Sequence, residues 1–344
     1  MHSDTLLLLV YLFLFLLMIL IPLLPVIRAV REKSDFDPLP VNMTYSKDPR
    51  AIAKYFGQYF VDAFTENTFK IGDRLEDEKL GKLEVLGDTF SKIKYQDMVY
   101  IIGEVEIPRA LKFEREVIAR DALVVGDHCS VRAIKAEKKL TLGKECCIVR
   151  WIDAEGSISV GQNTHVNIAS SASLIHLSRG VEFNRLFGHP VLTSHSFSFQ
   201  KNRQHMIDEH LDDAAIDENL LYIQDEKYVI EKKDKLFRSI VTQGDLLLEE
   251  EVKVFGSIKI NGDVVLQDNC FIDGNIIAEG NITIGEHCFI TGNLFSRRGI
   301  TIGSYTQIGT SENTKSVVAQ KEISLCEHVA IFNYILTDSG GKVV

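Results

Sequence analysis

An aliphatic residue recurs at almost every sixth position between Leu248 and Ile308, and this period constrains the fold more than any other feature. The series consists of Leu248, Val254, Ile260, Leu266, Ile272, Ala278, Ile284, Ile290, Ser296, Ile302 and Ile308. Another core-type residue stands four positions after most of them, as Val252, Ile258 and Cys270 do. A period of six matches neither an α-helical turn nor a simple alternation. Three steps make an 18-residue coil with three flat faces, so the chain is predicted to fold as an all-β, three-faced β-solenoid.

The same scheme occurs once more, earlier in the chain. Residues 18 positions apart form the columns Val124/Leu142/Val160, Ser130/Ile148/Val166 and Ala136/Ala154/Ala172. We therefore predict one solenoid block at 121–179, an insertion at 180–243 where the period is lost, and a second block at 244–344. The second block ends in a partial coil, Ala319, Leu325, Ile331 and Thr337, after a five-residue insertion near 311–317. Glycine follows the first column at Gly143, Gly161, Gly285 and Gly303, where we expect corners with positive φ.

The segment from Thr5 to Ile27 contains no charged residue and is rich in Leu, Ile, Val and Phe. At about 1.5 Å per residue it could cross a hydrocarbon core of about 30 Å. A cleaved signal peptide would have a basic start and a shorter apolar stretch, so a transmembrane helix at 5–27 is predicted instead. Arg28, Arg31 and Lys33 follow it, and this charge bias favours a cytoplasmic location for the larger C-terminal part.

Residues 28–47 are polar and contain proline, which is typical of a linker. An amphipathic helix is predicted at 48–66, with Asp48 as N-cap and Pro49 in the first turn. Its aromatic stripe could lie on a membrane surface or cover the open end of the solenoid, and the second arrangement is favoured because basic residues are scarce on the helix. Residues 67–120 are expected to form an irregular lead-in to the first coil.

Charge and cysteine usage exclude some classes of function. The formal net charge of −10 disfavours binding to nucleic acid. The six cysteines include no CxxC pair and no spacing typical of zinc. Cys146, Cys270 and Cys288 occupy inward positions of the repeat, where we expect buried core thiols. Cys270 and Cys288 would stack on adjacent coils, so a disulfide is conceivable, although reduced thiols are the simpler expectation.

The pattern Ile284-Gly285, Cys288, Ile290, Gly292, Leu294 and Ser296 resembles the repeat of the bactofilins, the polymer-forming cytoskeletal family of bacteria. The resemblance covers roughly Gly244–Ile308 and, more loosely, Leu123–Ser178. It implies a right-handed β-helix that stacks end to end into filaments without nucleotide and is often tethered to a membrane. The split solenoid and its insertion depart from the short single domain of that family.

Two alternatives stay open. The six-residue period also resembles the hexapeptide-repeat acyltransferases, which would need a histidine base near an acyl-thioester. His189 and His195 are the candidates for that base, although solvated loop histidines are the simpler interpretation. The second alternative is an extracellular solenoid for adhesion or wall binding, which would require the opposite membrane orientation.

We predict a single-pass, membrane-anchored scaffold or polymer-forming cytoskeletal protein. No catalytic residue, cofactor site or metal site is assigned, and the recruited protein partner is unknown. Self-association is expected through the solenoid ends, with the apolar edge near Ile331–Leu336 as the contact.

Overall fold

The computed structural model describes residues 48–64, 69–194, 221–223 and 227–344. The predicted transmembrane helix at 5–27, the linker at 28–47 and His195 lie outside these residues. No helix in the described ranges is both long and apolar enough to cross a membrane. The structure confirms a β-solenoid of about 13 turns with coils of about 18 residues, together with one short helix, α1 (Ala51–Ala63).

The first solenoid block contains strands β1 to β14. Their bounds are β1 Arg74–Asp77, β2 Gly81–Leu86, β3 Lys94–Tyr95, β4 Met98–Ile101, β5 Val105–Ile107, β6 Lys112–Ala119, β7 Leu123–Val125, β8 Ser130–Ala136, β9 Leu140–Leu142, β10 Cys147–Ala154, β11 Ile158–Val160, β12 His165–Ser171, β13 Ile175–Leu177 and β14 Glu182–Leu192. β1 and β2 form an antiparallel hairpin. The other pairings within this block are parallel and join strands one coil apart.

The expected irregular lead-in at 67–120 is therefore largely regular solenoid. β2 pairs with β4, β4 with β6 and β5 with β7, all in parallel. In the sequence of 67–120 the six-residue pattern is hard to recognise, because outward positions are apolar as well as inward ones. All four residues of Met98–Ile101 are buried, since a second layer covers the outer side of this strand.

Coils of the first block alternate between 18 and 17 residues, as the partners Val105, Leu123, Leu140, Ile158 and Ile175 show. The difference arises at a corner inside each long strand. One residue separates Val131 from Ala133, whereas two separate Ile148 from Trp151 in the next coil. The strict 18-residue columns predicted above are consequently off by one in places. The inward residues are Val125 and Val131 rather than Val124 and Ser130, and Ala154 pairs with Ser171 rather than Ala172.

The second solenoid block contains strands β15 to β32. Their bounds are β15 Leu221–Ile223, β16 Lys227–Ile230, β17 Lys235–Leu236, β18 Ile240–Thr242, β19 Asp245–Leu248, β20 Lys253–Val254, β21 Ile258–Ile260, β22 Val264–Leu266, β23 Phe271–Ile272, β24 Ile276–Ala278, β25 Ile282–Ile284, β26 Phe289–Ile290, β27 Leu294–Ser296, β28 Ile300–Ile302, β29 Gln307–Ile308, β30 Val317–Ala319, β31 Ile323–Leu325 and β32 Ala330–Val343.

The predicted columns of the second block are confirmed. Leu248, Leu266, Ile284 and Ile302 are successive partners on one face. The final partial coil is also as predicted, since Ser296 pairs with Ala319 and Ala319 with Thr337. The insertion near 311–317 lengthens one coil, so Ile300 pairs with Ile323.

The predicted insertion at 180–243 is shorter than expected because the solenoid occupies both of its ends. β14 continues the first block by pairing with β12 and β13. β15, β16 and β17 already pair in parallel with β18, β19 and β20 of the second block. β14 escapes sequence analysis because its inward residues Phe183, Leu186 and Val191 follow their partners by 17 or 16 residues rather than 18.

The two blocks meet through their last strands. β14 and β32 pair antiparallel, with Leu186 opposite Ile335 and Phe187 opposite Tyr334. Strand direction therefore reverses at this junction, while one aliphatic cluster runs through both blocks. Each block turns its N-terminal edge away from the junction, because its C-terminal edge is used in the pairing.

The repeated glycines have a different role from the one predicted. Gly143, Gly161 and Gly292 do not have positive φ; the left-handed corners are formed by non-glycine residues such as His287 and Tyr305. A Cβ at Gly161 would lie 2.4 Å from the carbonyl oxygen of Gly143, and one at Gly292 would lie 2.0 Å from that of Gly274. Glycine is needed because stacked coils bring backbone against backbone at these positions.

Candidate functional site

Helix α1 lies on the outer flank of the first block. The favoured prediction, that it covers an open end of the solenoid, is therefore wrong. Phe60 stacks on Tyr100 of β4, with ring centroids 5.6 Å apart and an interplanar angle of 9°. One turn earlier, Phe56 meets the edge of Trp151 in β10 at 5.5 Å. The helix therefore crosses successive coils, and its buried side forms a second apolar layer with their outward residues.

The N-terminus of α1 is fastened by a buried ion cluster. Arg50 precedes the first helical residue and takes the place predicted for Asp48, although its side chain makes no capping hydrogen bond. The Arg50 guanidinium instead donates to both oxygens of Asp153 at 2.8 and 2.7 Å and to both oxygens of Glu155 at 3.0 and 2.8 Å. Ser170 donates a further hydrogen bond to Asp153 at 2.6 Å. Arg50 and Asp153 are both buried, so each depends on the other for charge compensation.

The ionisation of the cluster follows from these contacts. Hydrogen bonding to Asp153 raises the pKa of Arg50, and the hydrogen bond to Glu155 raises it further against the opposing effect of burial. The hydrogen bonds from Arg50 lower the pKa of Glu155 below its ordinary value. Arg50 and Glu155 are therefore charged at neutral pH, and the guanidinium fastens the helix to the solenoid.

A cleft of about 430 Å³ opens at the junction of the two blocks. Its lining includes His165 of β12, Glu182 of β14 and Lys342 of β32. The Glu182 carboxylate lies 3.8 Å from Nδ1 of His165 and 3.6 Å from Nζ of Lys342. Gly341 borders the cleft beside the Phe183 ring, where a Cβ would lie 2.3 Å from a ring carbon. In the cleft, the Glu182 carboxylate thus lies between two basic groups, and Glu322 adds a second acidic side chain to the lining.

Hydroxyl groups also border the cleft. Ser324 and Ser339 also line it, but in the described part of the chain neither hydroxyl hydrogen-bonds to His165. An activated serine would need a nearby base to accept its proton. The described residues also contain no group of three or more His, Cys, Asp and Glu side chains arranged to hold a metal ion.

The histidine candidates and this cleft do not coincide. His189 is exposed on β14, where its ring meets the edge of Phe187 at 4.8 Å, and it is not among the residues lining the cleft. Sequence analysis missed His165, Glu182 and Lys342. The separation of His165 and Glu182 by one 17-residue coil could have paired them, but the approach of Lys342 depends on the reversed junction.

The predicted assembly contact is wrong in one respect. The edge at Ile331–Leu336 is not available for a second molecule, because β32 uses it to pair with β14 of the same chain. β32 also pairs with β29 and β30 on its other side. The apolar character that suggested a contact surface reflects burial inside the solenoid.

The cysteines predicted to be inward are buried and form no disulfide. Each thiol donates to a backbone carbonyl of the preceding coil: Cys146 to Gly126 at 3.2 Å, Cys270 to Glu249 at 3.1 Å and Cys288 to Gln267 at 3.3 Å. Thr306 continues the column with the same bond, to Gly285 at 3.0 Å. Burial raises the pKa of Cys146 to about 11, so this thiol stays protonated at neutral pH.

No family model, no curated protein and no solved structure matches this chain. The resemblance to bactofilins therefore depends on the residues of the repeat alone.

Proposed function

We propose that this chain is a membrane-anchored, bactofilin-like scaffold without catalytic activity. The observation that carries the proposal is the continuous aliphatic core, which passes from the first block through the β14–β32 junction into the second. Most of the repeat serves this core, as expected of a structural coil. The charge-free segment 5–27 supports attachment to a membrane with the solenoid in the cytoplasm.

We infer that self-association uses the outer ends of the solenoid, because β14 of the same chain already occupies the edge at Ile331–Leu336. β16 pairs only with β19 within the described residues, so one side of this strand has no strand neighbour there. Its outward residue Val229 is 40% exposed. Such an edge can accept a strand from another molecule, although nearby lysines, including Lys232 and Lys233, disfavour indiscriminate pairing.

A matched pair of variants tests assembly through this edge. Val229 and Val265 occupy the same column two coils apart and are exposed to similar extents, 40% and 37%. We expect Val229→Lys to reduce the assembly of the purified full chain, because it places charge at the outer edge, while Val265→Lys leaves assembly unchanged. Electron microscopy and sedimentation in detergent measure the result.

Particles of single-chain mass across a range of concentrations would contradict the polymer-forming part of the proposal. An equal loss of assembly in both variants would contradict the assigned edge. The acyltransferase alternative predicts a thermal shift on addition of acyl-CoA that His189→Ala weakens, and the scaffold proposal predicts no shift.

A further inference from the structure

Three arginines on successive long strands of the first block gather around one carboxylate. Arg115, Arg132 and Arg150 lie at the corner where one or two residues interrupt the register of β6, β8 and β10. Glu116 is buried, and its oxygens lie 3.4 Å from Nε of Arg115, 3.4 Å from Nε of Arg132 and 4.0 Å from Nη1 of Arg150. The single carboxylate orients the three guanidinium groups but balances only one of their charges.

The arginines retain outward donors. Their side chains are 37%, 39% and 53% exposed, in order along the chain. Coils are spaced about 4.8 Å apart, so the guanidinium groups form a row rather than a single point. A guanidinium presents a planar fork that suits phosphate oxygens. In a chain with a formal net charge of −10, this row is a local concentration of positive charge.

The row continues into an aromatic stripe on α1. Arg115 donates from Nη2 to the carbonyl of Leu80 at 3.0 Å, and Nζ of the adjacent Lys79 lies 5.7 Å from the centre of the Tyr59 ring. Ile52 and Tyr55 precede Tyr59 at helical spacing, and all three are substantially exposed. We call the surface formed by Ile52, Tyr55, Tyr59, Lys79, Arg115, Arg132 and Arg150 the basic–aromatic surface.

We propose that the basic–aromatic surface binds the headgroup region of an anionic lipid bilayer. Amphipathic side chains insert at the boundary between headgroups and acyl chains, while neighbouring basic groups bind lipid phosphates. Sequence analysis disfavoured membrane binding by α1 because the helix has few basic residues; the fold supplies them from the solenoid strands beside it. The inference extends the proposed function, since it specifies which face of the solenoid turns to the membrane.

The exposed thiol of Cys147 provides a reporter for this surface. Cys147 lies in β10 three residues before Arg150, and the other five cysteines are wholly or partly buried. The full chain, labelled at Cys147 with a donor dye, is reconstituted into vesicles that carry an acceptor dye on the headgroups. One vesicle set contains phosphatidylcholine alone, and the other contains equal parts of phosphatidylcholine and phosphatidylglycerol.

We expect energy transfer to be strong only with phosphatidylglycerol and to fall with added salt. Donor lifetimes give the ratio of membrane-bound to released solenoid. This ratio should fall about five-fold in the single variant Arg132→Gln and by a similar factor in the single variant Arg150→Gln. Lys259→Gln is the matched control, because it removes one exposed positive charge from an outward position of β21 in the second block. Thermal unfolding checks that the variants remain folded, and Arg132→Lys should restore most of the transfer.

Equal transfer on the two vesicle types, or an equal loss in Lys259→Gln, would overturn the proposal. Salt-sensitive binding of polyglutamate without any phosphatidylglycerol-dependent transfer would assign the surface to an acidic protein instead. Flotation with phosphatidylcholine vesicles separately tests anchoring by 5–27. If the chain fails to float there but cosediments with phosphatidylglycerol vesicles, the anchor is wrong and the surface stands.

Discussion

Arg50 joins helix α1 to the solenoid through a buried ion pair in which each charge needs its partner. Its guanidinium satisfies the buried Asp153 and also reaches Glu155. Removal of Arg50 leaves the Asp153 carboxylate buried without its counter-ion, which is costlier than the loss of an exposed ion pair. The clamp therefore positions the helix more firmly than its aromatic contacts alone would.

We predict that Arg50→Met lowers the free energy of unfolding by about 3–5 kcal/mol, because a buried charge loses its partner. Trp151 is the only tryptophan of the chain and touches Phe56, so its fluorescence should also report release of α1. Lys54→Met, at an exposed position of the same helix, is the control and should change stability little. Equal destabilisation by the two variants would contradict the clamp.

The steric role of the repeated glycines gives a second prediction at this scale. A Cβ at Gly292 would lie 2.0 Å from the carbonyl oxygen of Gly274, whereas at Gly299 the nearest atom would be 3.3 Å away. We expect Gly292→Ala to destabilise the protein by about 1–3 kcal/mol or more, since stacked backbones must separate. Gly299→Ala should have a much smaller effect. Denaturant titration compares the two, and similar midpoints would contradict the steric explanation.

Residue spacing alone could identify the glycine columns but not the reason for them. The spacing of Gly143 and Gly161 indicates a fixed corner, and positive φ is the usual explanation for such a glycine. The actual left-handed corners fall on residues such as Glu145 and Asn163, two positions later. The close approach of a glycine to a carbonyl group of the neighbouring coil is a property of stacked coils, and one coil considered alone does not reveal it.

At the scale of elements, the β14–β32 pair determines how the two blocks behave together. Leu186 and Ile335 are opposite each other and wholly buried. Within each block, contacts link neighbouring coils, so stability is approximately a sum over coils and their interfaces. The β14–β32 junction is the interface that couples the stability of the first block to that of the second.

We predict that Leu186→Ala and Ile335→Ala each cost about 2–5 kcal/mol and that the double variant costs less than the sum, because the two residues share one contact. Unfolding followed by Trp151 fluorescence, which reports the first block, should then separate from unfolding followed by circular dichroism. Leu142→Ala, inside the first block and away from the junction, should weaken the protein without separating the two transitions. Coincident transitions in every variant would show that the junction does not couple the blocks.

The elements also differ in how predictable they were. From β18 onward the second block follows from the sequence almost residue by residue, because nearly every inward position is apolar and each coil has 18 residues until the insertion near 311–317. The first block does not, since its corners alternate between one and two residues and α1 makes outward positions apolar. A fixed period cannot represent a corner of variable length.

For the whole molecule, the reversal of strand direction is the feature that sequence could not supply. Periodicity identifies two copies of the repeat but contains no information on whether the second continues the first or turns back towards it. The junction cleft and the burial of Ile331–Leu336 both depend on that choice. The basic–aromatic surface depends likewise on the corner positions of three separate coils.

The pairing of β14 with β32 also has a consequence for biosynthesis. Leu186 is translated 149 residues before its partner Ile335, a delay of roughly 7–30 s at typical rates of synthesis. Throughout this interval the first block can be complete while its last strand still lacks a neighbour, and an apolar strand edge in that state readily pairs with other nascent chains. Every new chain therefore passes through a period in which the edge of β14 is exposed and can be shielded by ribosome-associated chaperones. Slower elongation through the second block would lengthen this period.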